Sequence, residues 1–236
     1  MEGNQGYLGY GNAKRGITLI YMGQLLSIAA AIIMMISVGM IAIKGGDTPT
    51  VEDVSSTSMI LMVVGLLCAL AAFLLKFFGV TKASSDEGNF KKALTFLIIG
   101  LVASIIQSAV DGRIDWLSDL GAVAKGICDL AVTVFIIRGV ATIAENIGND
   151  PVRELGNRTL KMIVLIYLLV IAMGVIMLLL NGDGMATVEG ILAIGTMIIS
   201  IIAYIMFLKL LSQGRKMLYM EIKNGECSPF FFTLRR

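Results

Sequence analysis

Two ionisable residues, Lys125 and Asp129, lie within a long apolar stretch of the chain and are the residues best suited to chemistry. Their four-residue spacing places both side chains on the same face of a helix, one turn apart. A charge at the centre of a bilayer costs about 2.5–3.5 kcal/mol to insert, so such a residue marks a functional site by default. Asp129 could bind a proton or cation during transport, with Lys125 as its counter-charge. Two alternatives stay open: a purely structural pair, or a stretch that does not span the membrane.

Three neutral polar residues also fall within apolar stretches: Gln24, Gln107 and Ser200. Polar groups in hydrocarbon need partners, so we expect these side chains to face other helices. They could line a solute path, or they could form hydrogen bonds between helices that contribute roughly 0.6 kcal/mol each.

Several kinds of chemistry are excluded by what the sequence lacks. It contains no histidine, which rules out histidine general bases, metal ligands and pH switches. Its three cysteines, Cys68, Cys128 and Cys227, have the spacing of neither a disulfide framework nor a metal site. Phosphate-binding loops, dinucleotide fingerprints and hydrolase motifs are absent as well. We therefore predict that the protein has no catalytic residue, cofactor or metal and that it is not an enzyme.

The composition points to a membrane protein. Of 236 residues, 57% are hydrophobic and 15% charged, against roughly 45–50% and 25% in soluble domains. A helix needs about 20 apolar residues to cross a bilayer. Six stretches satisfy this requirement and predict an all-α integral membrane protein with six transmembrane helices: 17–43, 58–80, 93–110, 120–141, 160–180 and 188–211.

The basic residues predict how these helices are oriented. With the amino terminus inside, all but three of the 19 lysines and arginines fall on the cytoplasmic side. The exceptions are Lys44 and Arg113 in outer loops and Lys125 within a span. An excess of basic residues in short loops marks the cytoplasmic side. Both termini are therefore predicted to be cytoplasmic. The predicted location is a plasma membrane, and the small size of the protein favours a bacterial one.

Segments of the chain resemble one another. Residues 11–28 and 88–105 align without gaps and share Gly-Asn starts, a lysine, a threonine and a glycine, and residues 156–173 match them more weakly. Each copy lies at the start of a unit that contains two spans. The pattern predicts a threefold repeat of a helical hairpin, with all three hairpins inserted in the same direction.

Two functions remain open from the sequence. The first is a small channel or transporter for a small solute or ion, with Asp129 and Lys125 near its midplane. The second is a membrane scaffold or accessory subunit that does not transport and binds a partner protein. Basic and aromatic residues of the carboxyl-terminal tail predict contact with anionic lipid at the cytoplasmic face. Assembly into a homo-oligomer stays an open alternative. Nucleic acid is not expected as a partner, because the basic residues form no sustained run.

Overall fold

The computed structural model describes residues 9–45, 56–110, 115–179 and 185–226, with side chains described for most of them. These residues form helices only. The six helices are α1 Gly11–Gly45, α2 Ser56–Ala83, α3 Gly88–Val110, α4 Asp115–Ile147, α5 Asp150–Leu179 and α6 Met185–Glu226.

The chain is an all-helical, multi-pass membrane protein. Within the described residues, five helices contain segments long and apolar enough to cross a bilayer: Gly11–Met40, Thr57–Ala83, Gly88–Val110, Val123–Ile147 and Met197–Ile222. These segments overlap five of the six predicted spans. The remaining prediction, 160–180, lies in α5 and extends beyond the described side chains. Several helices continue past the predicted spans, because helical hydrogen bonding does not require apolar side chains.

The six helices form a closed ring in chain order, in which α1 contacts α6 and each other helix contacts the next, and α4 also contacts α6 across the ring. We call the end where α1, α3 and α5 begin the basic face. Two cation–π contacts there join the first and last helices: Lys14 lies 4.5 Å from the Tyr219 ring centroid, and Arg215 lies 4.9 Å from that of Tyr21. The two ends of the helical domain therefore lie side by side.

Glycines allow close approach within the first two helix pairs. A Cβ atom on Gly79 of α2 would lie 2.7 Å from the carbonyl oxygen of Gly16 and 2.9 Å from the backbone nitrogen of Ile20, both on α1. On α4, a Cβ atom on Gly139 would lie 2.6 Å from the Phe90 ring of α3. Small residues allow this kind of backbone packing between membrane helices.

A tight turn fixes the connection between α4 and α5. Gly148 has a φ of 77°, a left-handed conformation that favours glycine. Its backbone N–H donates to Glu145, and the N–H of Asn149 donates to Ala144 at 2.8 Å, which closes the end of α4. The Asn149 side chain then accepts a hydrogen bond from the backbone N–H of Val152 and caps α5. Gly148 and Asn149 together therefore end α4 and begin α5.

The buried core lies toward the basic face. Fully buried residues there include Ile17, Val80, Phe90, Val140 and Leu210, which come from five different helices. Farther from this face, the helices expose large apolar side chains, such as Met35, Ile60, Ile105, Val123 and Ile205. Hydrocarbon can cover these side chains at no cost in hydrophobic free energy, because lipid tails are equally apolar.

Candidate functional site

The candidate site begins at a hydrogen bond between the first and last helices. The Tyr204 hydroxyl of α6 donates to the side-chain oxygen Oε1 of Gln24 on α1, at 2.9 Å. The same hydroxyl lies 3.2 Å from the backbone carbonyl oxygen of Gln24. Both side chains are half-buried. Gln24 therefore faces another helix, as its position in an apolar stretch predicts.

A cavity of about 230 Å³ lies beside this hydrogen bond, between α4, α5 and α6. Its polar lining consists of four hydroxyl groups, those of Thr133, Tyr167, Ser200 and Tyr204. Apolar side chains of α5 and α6, among them Ile163 and Phe207, complete the wall. A water needs roughly 10–15 Å³ of such volume and two or more polar partners, so the cavity has room and partners for several waters.

Asp129 lies on the side of α4 that faces the inside of the ring. It precedes the buried residues Ile136 and Val140 by seven and eleven positions, or about two and three helical turns, which places all three on one side. The Asp129 side chain is itself exposed. Its backbone carbonyl oxygen accepts a hydrogen bond from the Thr133 hydroxyl at 2.9 Å, and Thr133 lines the cavity.

Asp129 lies within electrostatic range of Lys76 on α2 and of the Tyr167 hydroxyl on α5, but it forms no ion pair with Lys76 among the described residues. By contrast, the three ion pairs of the described residues all lie at the basic face, and none joins Lys125 to Asp129. Lys125 is exposed. Lys76 is therefore a second candidate counter-charge for Asp129, which the spacing of residues along the chain does not indicate.

The two remaining predicted residues, Ser200 and Gln107, lie in different parts of the structure. Ser200 lies one turn before Tyr204 on α6 and lines the same cavity. Gln107 lies elsewhere, farther from the basic face, where α3 meets α4: a Cβ atom on Gly121 would lie 3.0 Å from the Cβ atom of Gln107. Gln24, Asp129 and Ser200 therefore share one region of the ring, and Gln107 does not belong to it.

Four residues of this region are missing from the sequence-based site: Lys76, Thr133, Tyr167 and Tyr204. Lys76 stands near the end of its apolar stretch, which is typical of lysines that reach toward the membrane surface. In the structure it is half-buried where α2 packs on Gly23 of α1. The hydroxyl residues carry a weak signal, because tyrosine and threonine are common in membrane helices. The one signal that the sequence offers for them is that they lie within apolar stretches, at a depth in the membrane similar to that of Asp129.

The arrangement can bind a polar or charged group but has no evident covalent chemistry. It combines one carboxylate, one ammonium group, several hydroxyls and one amide on the inner sides of five helices. Among the residues that the structure describes, no cluster of three acidic or cysteine side chains could hold a metal ion. No model of a protein family matches this chain, and neither a curated protein nor a solved structure matches it.

Proposed function

We propose that this protein is a small channel or transporter whose pathway passes between Gln24, Asp129 and Ser200 at the centre of the helical ring. The observation that carries the proposal is the convergence of these three residues with Lys76 and Tyr204, which together come from four helices. Polar groups within hydrocarbon are costly, so their placement at or near one cavity, which Ser200 and Tyr204 line, favours a solute path.

Asp129 and Lys76 give this path opposite charges on different helices. Asp129 is the group that would bind a cation or proton, and Lys76 is a counter-charge that lowers the cost of a carboxylate within the membrane. The 230 Å³ cavity has room for water or a small solute. The substrate class is therefore an ion or a small polar molecule.

The alternative function is a membrane scaffold or accessory subunit that binds a partner protein or a second copy. It requires Asp129 to lie in a dry, packed interior. The discriminating property is water access to Asp129 when the protein is in a bilayer.

The test is the accessibility of a thiol at position 129. Cys68, Cys128 and Cys227 are replaced by alanine, Asp129→Cys is introduced, and intact cells and inverted vesicles are treated with a membrane-impermeant thiol reagent. The matched control is Ile127→Cys, because Ile127 is also exposed but points away from the ring, toward the surrounding hydrocarbon.

We expect labelling of Asp129→Cys from at least one side and protection of Ile127→Cys. Protection of both positions, with the protein still inserted, would contradict the transport proposal and favour the scaffold. Labelling of both would show that the region does not lie within the membrane.

We also infer that the basic face is cytoplasmic and that the membrane is a plasma membrane. The support is the concentration of lysine and arginine in the short connections at this face, which is typical of cytoplasmic loops. A tag that is accessible only in permeabilised cells, at either terminus, would support this orientation.

The threefold hairpin repeat remains part of the proposal. Its support is that Gly11 and Gly88 begin α1 and α3, and that α1 packs closely on α2 and α3 on α4. The third copy differs, because Gly156 lies inside α5, six residues after its start at Asp150, and packs on Ala141. The repeat is therefore better supported for the first two hairpins than for the third.

A further inference from the structure

A second, larger cavity lies at the basic face, on the outer side of α4. Its volume is about 430 Å³, and its lining includes Asn89 of α3, Arg138 and Thr142 of α4, and Arg153 and Asn157 of α5. We call it the α4 groove. Unlike the central cavity, it is lined mainly by polar and charged side chains.

The α4 groove opens away from the centre of the ring. Arg138 follows Asp129 by nine residues, or about two and a half turns, so the two side chains point to opposite sides of α4. Arg138 also lies nine residues before the end of α4 at Ile147, about 14 Å along the helix axis. The apolar stretch 120–141 ends three residues after Arg138, about 5 Å along the axis, so this side chain lies near the level at which hydrocarbon gives way to lipid headgroups.

Most of the charges around the groove are already neutralised. Arg153 is paired with Asp150 at 3.0 Å and with Glu145 at 3.7 Å. Glu154 is paired with Arg158 at 2.6 Å. The ion pairs hold both glutamates of the lining against arginines, which leaves them little further attraction for a cation.

Arg138 is the exception. In the part of the chain that the structure describes, its guanidinium forms no ion pair or hydrogen bond, and it is exposed. The side-chain amide of Asn157 across the groove likewise has no hydrogen-bond partner among the described residues. Lys92 adds a second cation nearby, with its Nζ atom 5.8 Å from the ring centroid of Phe135, three residues before Arg138.

We propose that the α4 groove binds the phosphate group of a phospholipid headgroup, with Arg138 as the principal contact and Asn157 as a second donor. A guanidinium presents paired N–H donors that match two phosphate oxygens. Basic pockets between membrane helices at the cytoplasmic side bind headgroups in this way. This inference is independent of the proposed transport, because it concerns the opposite side of α4.

The test measures lipid binding by the purified full chain in detergent, using native mass spectrometry with dioleoyl-phosphatidylglycerol. Dioleoylglycerol, which has the same acyl chains and no phosphate, is the lipid control. Arg138→Gln is compared with Arg15→Gln, because Arg15 is an exposed arginine at the same face that neither lines the groove nor pairs with a residue of its lining. Arg138→Lys keeps the charge without the paired donors.

We expect Arg138→Gln to weaken phosphatidylglycerol binding roughly tenfold, since hydrogen bonds to charged groups are the strong ones. Arg138→Lys should lose less, and Arg15→Gln should bind like the wild type. Equal losses in Arg138→Gln and Arg15→Gln would overturn the proposal, because they indicate attraction to the whole basic face. Binding that does not depend on the phosphate would overturn it as well.

A further arm separates the two sources of phosphate. Inorganic phosphate is added as a competitor at constant ionic strength. If it binds in an Arg138-dependent manner and phosphatidylglycerol does not, the assignment to a lipid headgroup is wrong. We expect the lipid to retain its binding, because its acyl chains lie against the apolar sides of the neighbouring helices.

Discussion

Tyr204 and Gln24 are separated by 180 residues and share a hydrogen bond of 2.9 Å between the last helix and the first. This contact closes the ring of helices close to the central cavity, which Tyr204 also lines. One tyrosine thus links the packing of α1 and α6 to the polar lining of the candidate pathway.

Removal of this hydroxyl tests the link. Tyr204→Phe should lower the free energy of unfolding by about 0.6–1 kcal/mol, the usual range for such bonds. A double-mutant cycle with Gln24→Leu, followed by thermal unfolding in detergent, measures the coupling between the two side chains. Tyr219→Phe is the control, because its ring contacts Lys14 and only the hydroxyl is removed. Strictly additive effects of the two substitutions would mean that no stabilising bond exists.

The partner of Asp129 is open to direct test. Lys76→Met should lower the thermal midpoint by a few degrees, because it leaves a carboxylate without its counter-charge. The double variant Lys76→Met with Asp129→Asn should recover part of this loss. Lys125→Met, one turn from Asp129 on the same helix, should have little effect. If Lys125→Met is the more damaging substitution, the pair that the sequence predicts is the correct one.

Under the transport proposal, the same variants have functional consequences. Asp129→Asn should abolish most solute-dependent flux in proteoliposomes, whereas Lys125→Met should retain it. The reason is that Asp129 faces the ring interior beside Thr133 and carries the charge that would contact the solute. A flux that is unchanged by Asp129→Asn would argue against a role for this carboxylate in transport.

The contact between α1 and α2 predicts a strong effect of one methyl group. Gly79→Ala places a Cβ atom 2.7 Å from the Gly16 carbonyl oxygen, and neither backbone can move without separating the helices. We expect a loss of about 1–3 kcal/mol in unfolding free energy, as for other overpacked sites. Gly126→Ala is the matched control, because nothing lies within 4 Å of its Cβ position. Thermal unfolding of the two variants side by side measures the difference.

Asp86 joins the connection between α2 and α3 to the start of α1. Its Oδ2 atom accepts a hydrogen bond from the backbone N–H of Ala13 at 2.7 Å, and its Oδ1 atom accepts one from Asn12 at 3.2 Å. Asp86→Ala should cost about 1 kcal/mol, as does the loss of other helix caps. Asp86→Asn keeps an oxygen acceptor and should cost less. Equal losses for the two variants, in the same unfolding assay, would assign the effect to charge rather than capping.

The helical membrane architecture is predictable from the sequence because hydrocarbon imposes one requirement on every span: its backbone must satisfy its own hydrogen bonds over about 20 residues. Length and apolarity alone therefore locate the helices. The exact ends are harder to predict, because features such as the Gly148 turn and the Asp86 cap depend on a few polar atoms. Those few atoms hardly change the mean hydropathy of an apolar stretch, which is the quantity that predicts a span.

The candidate site was only partly predictable for a different reason. Asp129, Gln24 and Ser200 stand out because each is polar within an apolar stretch, and this local property needs no knowledge of the fold. Lys125 is the nearest cation along the chain, whereas Lys76 comes within electrostatic range of Asp129 only through the fold.

The sequence by itself determined which residues are costly to bury and which segments can enter a bilayer, because both follow from transfer free energies of single side chains. Only the tertiary structure decided that Lys76 comes within electrostatic range of Asp129, that Tyr204 bonds to Gln24, that Gln107 lies apart and that Arg138 points away from the ring. These relationships depend on the rotation and neighbours of each helix, which are set by contacts between residues far apart in the chain.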